Sequence, residues 1–140
     1  VKDTTDIARL DDADIQATPD AYLEWSRTGD SELLGRAFHP QATVVNASNG
    51  DDKVAAWTIQ QFADGVDRLR KAHGTVEETA RSVSVDSARN VASVRVDFNL
   101  QIGEAVHLGT DYLTLARVGD RWLITHKVYD SDRPYAGPPR

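Results

Sequence analysis

The chain has 140 residues, a formal net charge of −6, no cysteine and no methionine. That length can bury a full core in one domain without staples, and the lack of cysteine excludes disulfides, thiolate metal sites and a cysteine nucleophile. Six acids fall in residues 1–20 against Lys2 and Arg9, leaving 16 acids against 14 bases in the rest. There is no basic stripe, so neither nucleic acid nor an anionic membrane surface is expected as a partner.

No apolar run approaches the ~20 residues needed to cross a bilayer. Residue 1 is not a start methionine, so either a tag, propeptide or signal peptide has been removed or the sequence is trimmed. A cytoplasmic location is expected unless the lost segment was a secretion signal.

Residues 1–10 are polar and read as a loose, flexible segment. In "LDDADIQATPD" the start and stop signals compete. Either Thr18 caps a helix that begins at Pro19, or an earlier turn from Asp11 breaks there. Tyr22, Leu23 and Trp25 form one apolar stripe, and Gly29 ends the helix. Asp30 caps a second helix whose buried side is Leu33, Leu34, Ala37 and Phe38, and Pro40 stops it. "ATVVNAS", residues 42–48, is β-branched and reads as a strand. After the turn "NGDD", Thr58 caps a third helix with Ile59, Phe62, Val66 and Leu69 at helical spacing, ending at Gly74.

Four strands are expected next, over 77–86, 91–101, 105–118 and 121–130. "NVASVRVDFNL" alternates cleanly, with Ala92, Val94, Val96, Phe98 and Leu100 on one face, as in a half-buried antiparallel strand. "GDR" turns the chain into "WLITHKVYD". The tail from 131 to 140 is proline-rich and cannot continue a sheet. Helices segregated from an antiparallel sheet indicate an α+β domain over 11–130. A curved sheet closed over by three helices at one end makes a cone, and a cone has an interior.

The run "Y…W…TGD…FHP.ATVV" together with "TDYLTLARVGDRWLITHKVY" resembles the nuclear transport factor 2-like superfamily, and within it the SnoaL-like and lumazine-binding-like families. The spacings that carry the resemblance are Gly29-Asp30, His39-Pro40, Asp111-Tyr112-Leu113 and Gly119-x-x-Trp122-x-Ile124-x-x-Lys127. It implies a cone-shaped α+β fold around one deep pocket, and a homodimer through the outer sheet face. Members include isomerases, dehydratases, cyclases and non-catalytic binders, so the fold alone does not decide the function.

Ketosteroid isomerases of that superfamily place a Tyr on the first helix, a base at the end of the first strand and an acid on a late strand. Those places fall on Tyr22, Asn46 and Thr114 here, and only the Tyr matches. Asn46 cannot carry a proton near neutral pH, yet it and Thr114 can hydrogen-bond a ligand. His126 is then the best titratable group, sharing a face with Trp122, Ile124 and Val128 that the strand placement turns inward. It is the expected proton carrier beside Tyr22; the plainer alternative is a core histidine bonded to Tyr22, Asn46 or a carbonyl.

Trp25, Trp57, Phe62, Phe98 and Tyr112 are the expected aromatic lining, with Thr114 and Val128, and Trp57 would close the mouth. Trp25 and Phe98 serve equally well as plain core. Apolar walls with few polar groups suit a small hydrophobic organic molecule. Asp111 and Lys127, on the face opposite Tyr112 and His126, read as an exposed cross-strand ion pair worth ~0–1 kcal/mol. His39 reads as a helix-end residue. The four histidines lie on four elements without ligand spacing, and there is no P-loop, nucleophile elbow or dinucleotide fingerprint, so neither metal nor cofactor is expected. The reading that follows is a cofactor-independent enzyme, an isomerase, cyclase or dehydratase, acting on a small carbonyl or polyketide-like substrate. The competing reading is a binding module with the same walls and no chemistry.

Overall fold

The computed structural model describes residues 4–52 and 54–133, with side chains from Asp12 onward. Its elements are α1 (Thr4–Thr28), α2 (Ser31–Ala37), β1 (Phe38–Asn46), β2 (Ala55–Thr58), α3 (Ile59–His73), β3 (Val76–Ser87), β4 (Val91–Ile102), β5 (Ala105–Val118) and β6 (Arg121–Ser131). The six strands form one curved, unclosed sheet in the order β2-β1-β6-β5-β4-β3. Every pair is antiparallel except β1 with β6, which run parallel. The helices pack on the inner face, and the fold is α+β.

α1 begins at Thr4, inside the stretch expected to be loose, and runs through Pro19 unbroken. Neither a cap at Thr18 nor a break at Pro19 occurs. Proline leaves the carbonyl four residues earlier without its helical partner, but Pro19 is fully buried and its neighbours anchor the helix. Ile15 is buried, and the Thr18 hydroxyl donates to the Trp122 carbonyl at 2.6 Å.

α2 and α3 start as their caps dictate. The Asp30 carboxylate accepts from Glu32 N at 2.9 Å, and Thr58 and Gln61 make a reciprocal capping box. Gly74 closes α3 at φ 87°, a conformation side chains disfavour.

Two details decide which side chains face inward. β1 starts at Phe38 and carries Pro40 inside it, where the register against β6 shifts between Phe38 and Thr43. Proline fits there because no regular ladder bond is required of it. β6 carries an extra residue, Thr125, since Thr114 pairs with His126 and Leu115 with Ile124. Such a bulge reverses the strand's alternation. Trp122 and Ile124 point inward on one side of it, and Lys127 and Tyr129 on the other. The core is Ile15, Tyr22 and Trp25 of α1 against Phe38, Val44, Val94, Val96, Phe98, Leu113, Leu115, Trp122 and Ile124.

Candidate functional site

Between α1, α3 and the concave sheet lies a small cavity of about 80 Å³. Trp25, Phe62, Val66, Leu69, Phe98 and Leu100 supply its apolar walls, and Tyr22, Glu78, Lys127 and Tyr129 its polar side. Asn46, Ser131 and Arg133 line it from the ends of β1 and β6. The rings interlock: Tyr22 stacks on Trp25 at 6.1 Å and meets Phe38 edge-on at 5.5 Å, and Phe62 touches Trp25, Trp57 and Tyr129.

The polar side is a buried chain of four groups from four elements. The Tyr22 hydroxyl of α1 donates to Glu78 Oε1 of β3 at 2.7 Å. The Glu78 carboxyl meets that of Asp111 on β5. Asp111 Oδ1 accepts from the Lys127 ammonium of β6. All four side chains are almost fully buried. Lys127 Nζ also lies 4.5 Å from the ring centre of Tyr129, 4.8 Å from that of Tyr22 and 5.6 Å from that of Phe62, and cation–π attraction helps hold a desolvated ammonium. Glu78 Oε2 and Asp111 Oδ2 are buried and have no hydrogen-bond donor.

Burial above all, then the Asp111 charge, lifts the Glu78 carboxyl well above the usual carboxylate range, against the pull of Lys127. Burial, followed by Glu78 and Asp111, lifts the Tyr22 phenol well above its ordinary value. Tyr22 therefore stays protonated and Glu78 favours its neutral form.

Of the residues singled out from the sequence, Tyr22, Asn46, Trp25, Phe62 and Phe98 line this cavity. Asn46 is tied locally, its Oδ1 accepting from Ser48 N at 2.9 Å. His126, Thr114, Tyr112 and Val128 do not line it. The Thr125 bulge turns His126 outward, where its Nδ1 bonds the Thr43 hydroxyl at 2.5 Å, and it puts Val128 on the same outer face opposite Tyr112. Tyr112 is 53 % exposed and its hydroxyl takes a bond from Arg95; Thr114 is exposed beside it. Trp57 belongs to β2, packs against Phe62 and does not line the cavity. Asp111 and Lys127 do pair across the strands, but inside, 0 % and 1 % exposed, so the expectation of an exposed pair is corrected. His39 bonds locally, its Nδ1 accepting from Gln41 N.

Sequence reasoning missed Glu78 and misplaced Asp111 and Lys127. For β5 the signal was present: Asp111, Leu113 and Leu115 share one parity, and two leucines mark the inner face. For Glu78 it was obscured. Val83 and Val85 point inward, but an extra residue at Arg81 reverses the phase before Glu78. Among the described residues no cluster of histidine and acids could hold a metal ion.

Residues 10–130 match the sequence model of the family described as "Putative lumazine-binding". No curated protein matches the chain. Solved structures share the fold at low identity. A nuclear transport factor 2-like protein of unknown function from Shewanella baltica is 21 % identical with a TM-score of 0.68, covering 96 % of this chain and 100 % of that one. A protein described as "Putative Scytalone Dehydratase" from Novosphingobium aromaticivorans is 13 % identical with a TM-score of 0.73, covering 98 % and 94 %. A "putative dehydratase from the NTF2-like family" of Streptomyces avermitilis is 16 % identical with a TM-score of 0.70, covering 88 % and 96 %. At such identities the likeness carries the fold and not the chemistry.

Proposed function

The chain belongs to the family described as "Putative lumazine-binding", and from that premise we propose that its cavity receives a small, largely apolar organic molecule. The observation that carries the reading is the cavity's asymmetry. Aromatic and aliphatic walls lead to one polar side, where Tyr22, Glu78 and Lys127 are already in place. Such a site binds a flat body by its walls and an oxygen function by the polar side. At about 80 Å³ the cavity is smaller than the ~150 Å³ that accommodates benzene in a preformed hollow, so a ring-sized occupant enters with movement of the cavity's side chains.

The finer reading is catalytic: acid–base conversion of a small carbonyl compound, in the isomerase, cyclase or dehydratase class, without a cofactor. Proton-carrying groups desolvated beside an apolar cavity support it. A binding module without chemistry is the second reading, favoured by the fact that Tyr22, Glu78, Asp111 and Lys127 already bond one another.

Thermal unfolding with benzaldehyde, benzyl alcohol and lumazine tests the binding. At least one is expected to raise the midpoint of the wild type and to lose that effect in Leu100→Trp, whose added ring fills the cavity. No shift with any of them, or an equal shift in a folded Leu100→Trp, counts against the site. Deuterium exchange at the α-carbons of cyclohexanone, followed by proton NMR, separates enzyme from binder. Accelerated exchange supports the catalytic reading, and binding without exchange supports the module.

A further inference from the structure

We propose that Glu78 is the acid–base group of this cavity and that it rests as a neutral carboxylic acid whose proton is shared with Asp111. The inference deepens the catalytic reading above and rests on it.

The geometry offers a place for a proton here. Two buried carboxyl oxygens, Glu78 Oε2 and Asp111 Oδ2, lack a donor although their carboxyl groups are in contact. If both groups were ionised, two acceptors would face each other in the core. One proton on Glu78 satisfies both oxygens at once. Oε2–H then donates to Asp111 Oδ2, Tyr22 donates to Glu78 Oε1, and Lys127 donates to Asp111 Oδ1. The chain Tyr22–Glu78–Asp111–Lys127 is then fully bonded and electrically neutral.

The other groups around Glu78 leave this count unchanged. α1 presents Tyr22, β5 presents Asp111, and β6 presents Lys127 and Tyr129. α3 and β4 face the cavity with the apolar side chains Phe62, Val66, Leu69, Phe98, Leu100 and Ile102. Arg133 also lines the cavity, half-buried beyond the end of β6, but the cation that acts on Glu78 is Lys127, and Lys127 is committed to Asp111. Of the two acids, Glu78 lines the cavity. Asp111 acts through it and is a positioning residue.

A group that rests protonated opens the cycle as an acid. The Glu78 proton passes to the carbonyl oxygen of the bound molecule and an O–H bond forms. The neighbouring C–H bond breaks, its electron pair becomes the C=C bond, and its proton returns to the Glu78 carboxylate. A ketone has become its enol, with no net proton gained or lost. The ligand class is accordingly a neutral carbonyl compound. An ammonium would meet Lys127, and a carboxylate would find that ammonium already paired with Asp111.

The resting proton is read without any ligand. Carbon-13 NMR of glutamate-labelled protein should show one carboxyl, absent from Glu78→Gln, that titrates well above the exposed glutamates. Stability should follow. A raised folded pKa means that the folded state holds the proton after the unfolded chain has lost it, so wild-type stability falls as pH rises from about 4.5 toward the folded midpoint. Glu78→Gln keeps a donor and an acceptor in place and lacks that slope, so the gap between the two proteins widens across the window. Cyclohexanone exchange should drop about a hundredfold or more in Glu78→Gln, and the wild-type rate should fall as pH passes the same midpoint.

A Glu78 signal that titrates with the exposed carboxylates, or a gap independent of pH, overturns the shared proton. Wild-type exchange that survives in Glu78→Gln overturns the catalytic assignment alone. Absence of exchange in the wild type removes the catalytic reading, and this assignment falls with it.

Discussion

Lys127 is 1 % exposed and paired with Asp111, itself 0 % exposed. Desolvating two ions costs nearly what their attraction returns, so an intact buried pair adds little stability while a broken one is expensive. Lys127→Met should therefore destabilise the protein by about 3–5 kcal/mol, read by urea unfolding at neutral pH, because buried Asp111 loses its cation. A loss below ~1 kcal/mol would mean that the pair is hydrated. His126 is the counter-example. It meets Thr43 on the outer face and lies outside the cavity. His126→Ala should leave probe binding and cyclohexanone exchange within error of the wild type, as the same thermal-shift and NMR measurements will read.

The elements were legible in proportion to how local their causes are. α3 was readable at both ends, because the capping box and Gly74 are local chemistry. β4 was readable in full, since its alternation of Ala92, Val94, Val96, Phe98 and Leu100 has no interruption. β6 was readable as a strand but not in its faces. One inserted residue, Thr125, reverses the side from which Lys127 and His126 emerge, and its cause is the pairing with β5. Pro19 misled because burial against the sheet outweighs a lost helical bond, which depends on tertiary contacts. The candidate site was half legible. Tyr22 and the aromatic walls follow from helical and strand spacing, whereas Glu78 lies behind the phase change at Arg81.

One more element-level constraint sets the shape of the wall. Gly109 on β5 pairs with Phe98 on β4, and a Cβ there would collide with the Phe98 ring and the Asp130 carbonyl. Gly109→Ala should push that ring toward the cavity and cost about 1–3 kcal/mol. Denaturant melts will read the cost, and probe affinity the change in the wall.

At the scale of the whole molecule, the outer sheet face carries exposed apolar side chains among its polar and charged ones. Val91, Val106, Leu108, Tyr112 and Val118 are all 44 % exposed or more. We propose that a second copy covers this face. Light scattering on the wild type and on Tyr112→Glu should then give a dimer and a monomer, and a wild-type monomer at all concentrations would refute it. Cavity and outer face lie on opposite sides of the same strands, so β6 couples them through a single structural choice. Removing Thr125 would leave both sides as they are, because Ile124 would be followed directly by His126, which already pairs with Thr114 on the outer face. Flattening the bulge with Thr125 retained would instead exchange the two sides of the strand beyond it, carrying His126 to the hollow and Lys127 to the surface. Relatives of this fold can thus differ in which group faces the hollow through pairing register alone, where a search for changed catalytic letters would find nothing.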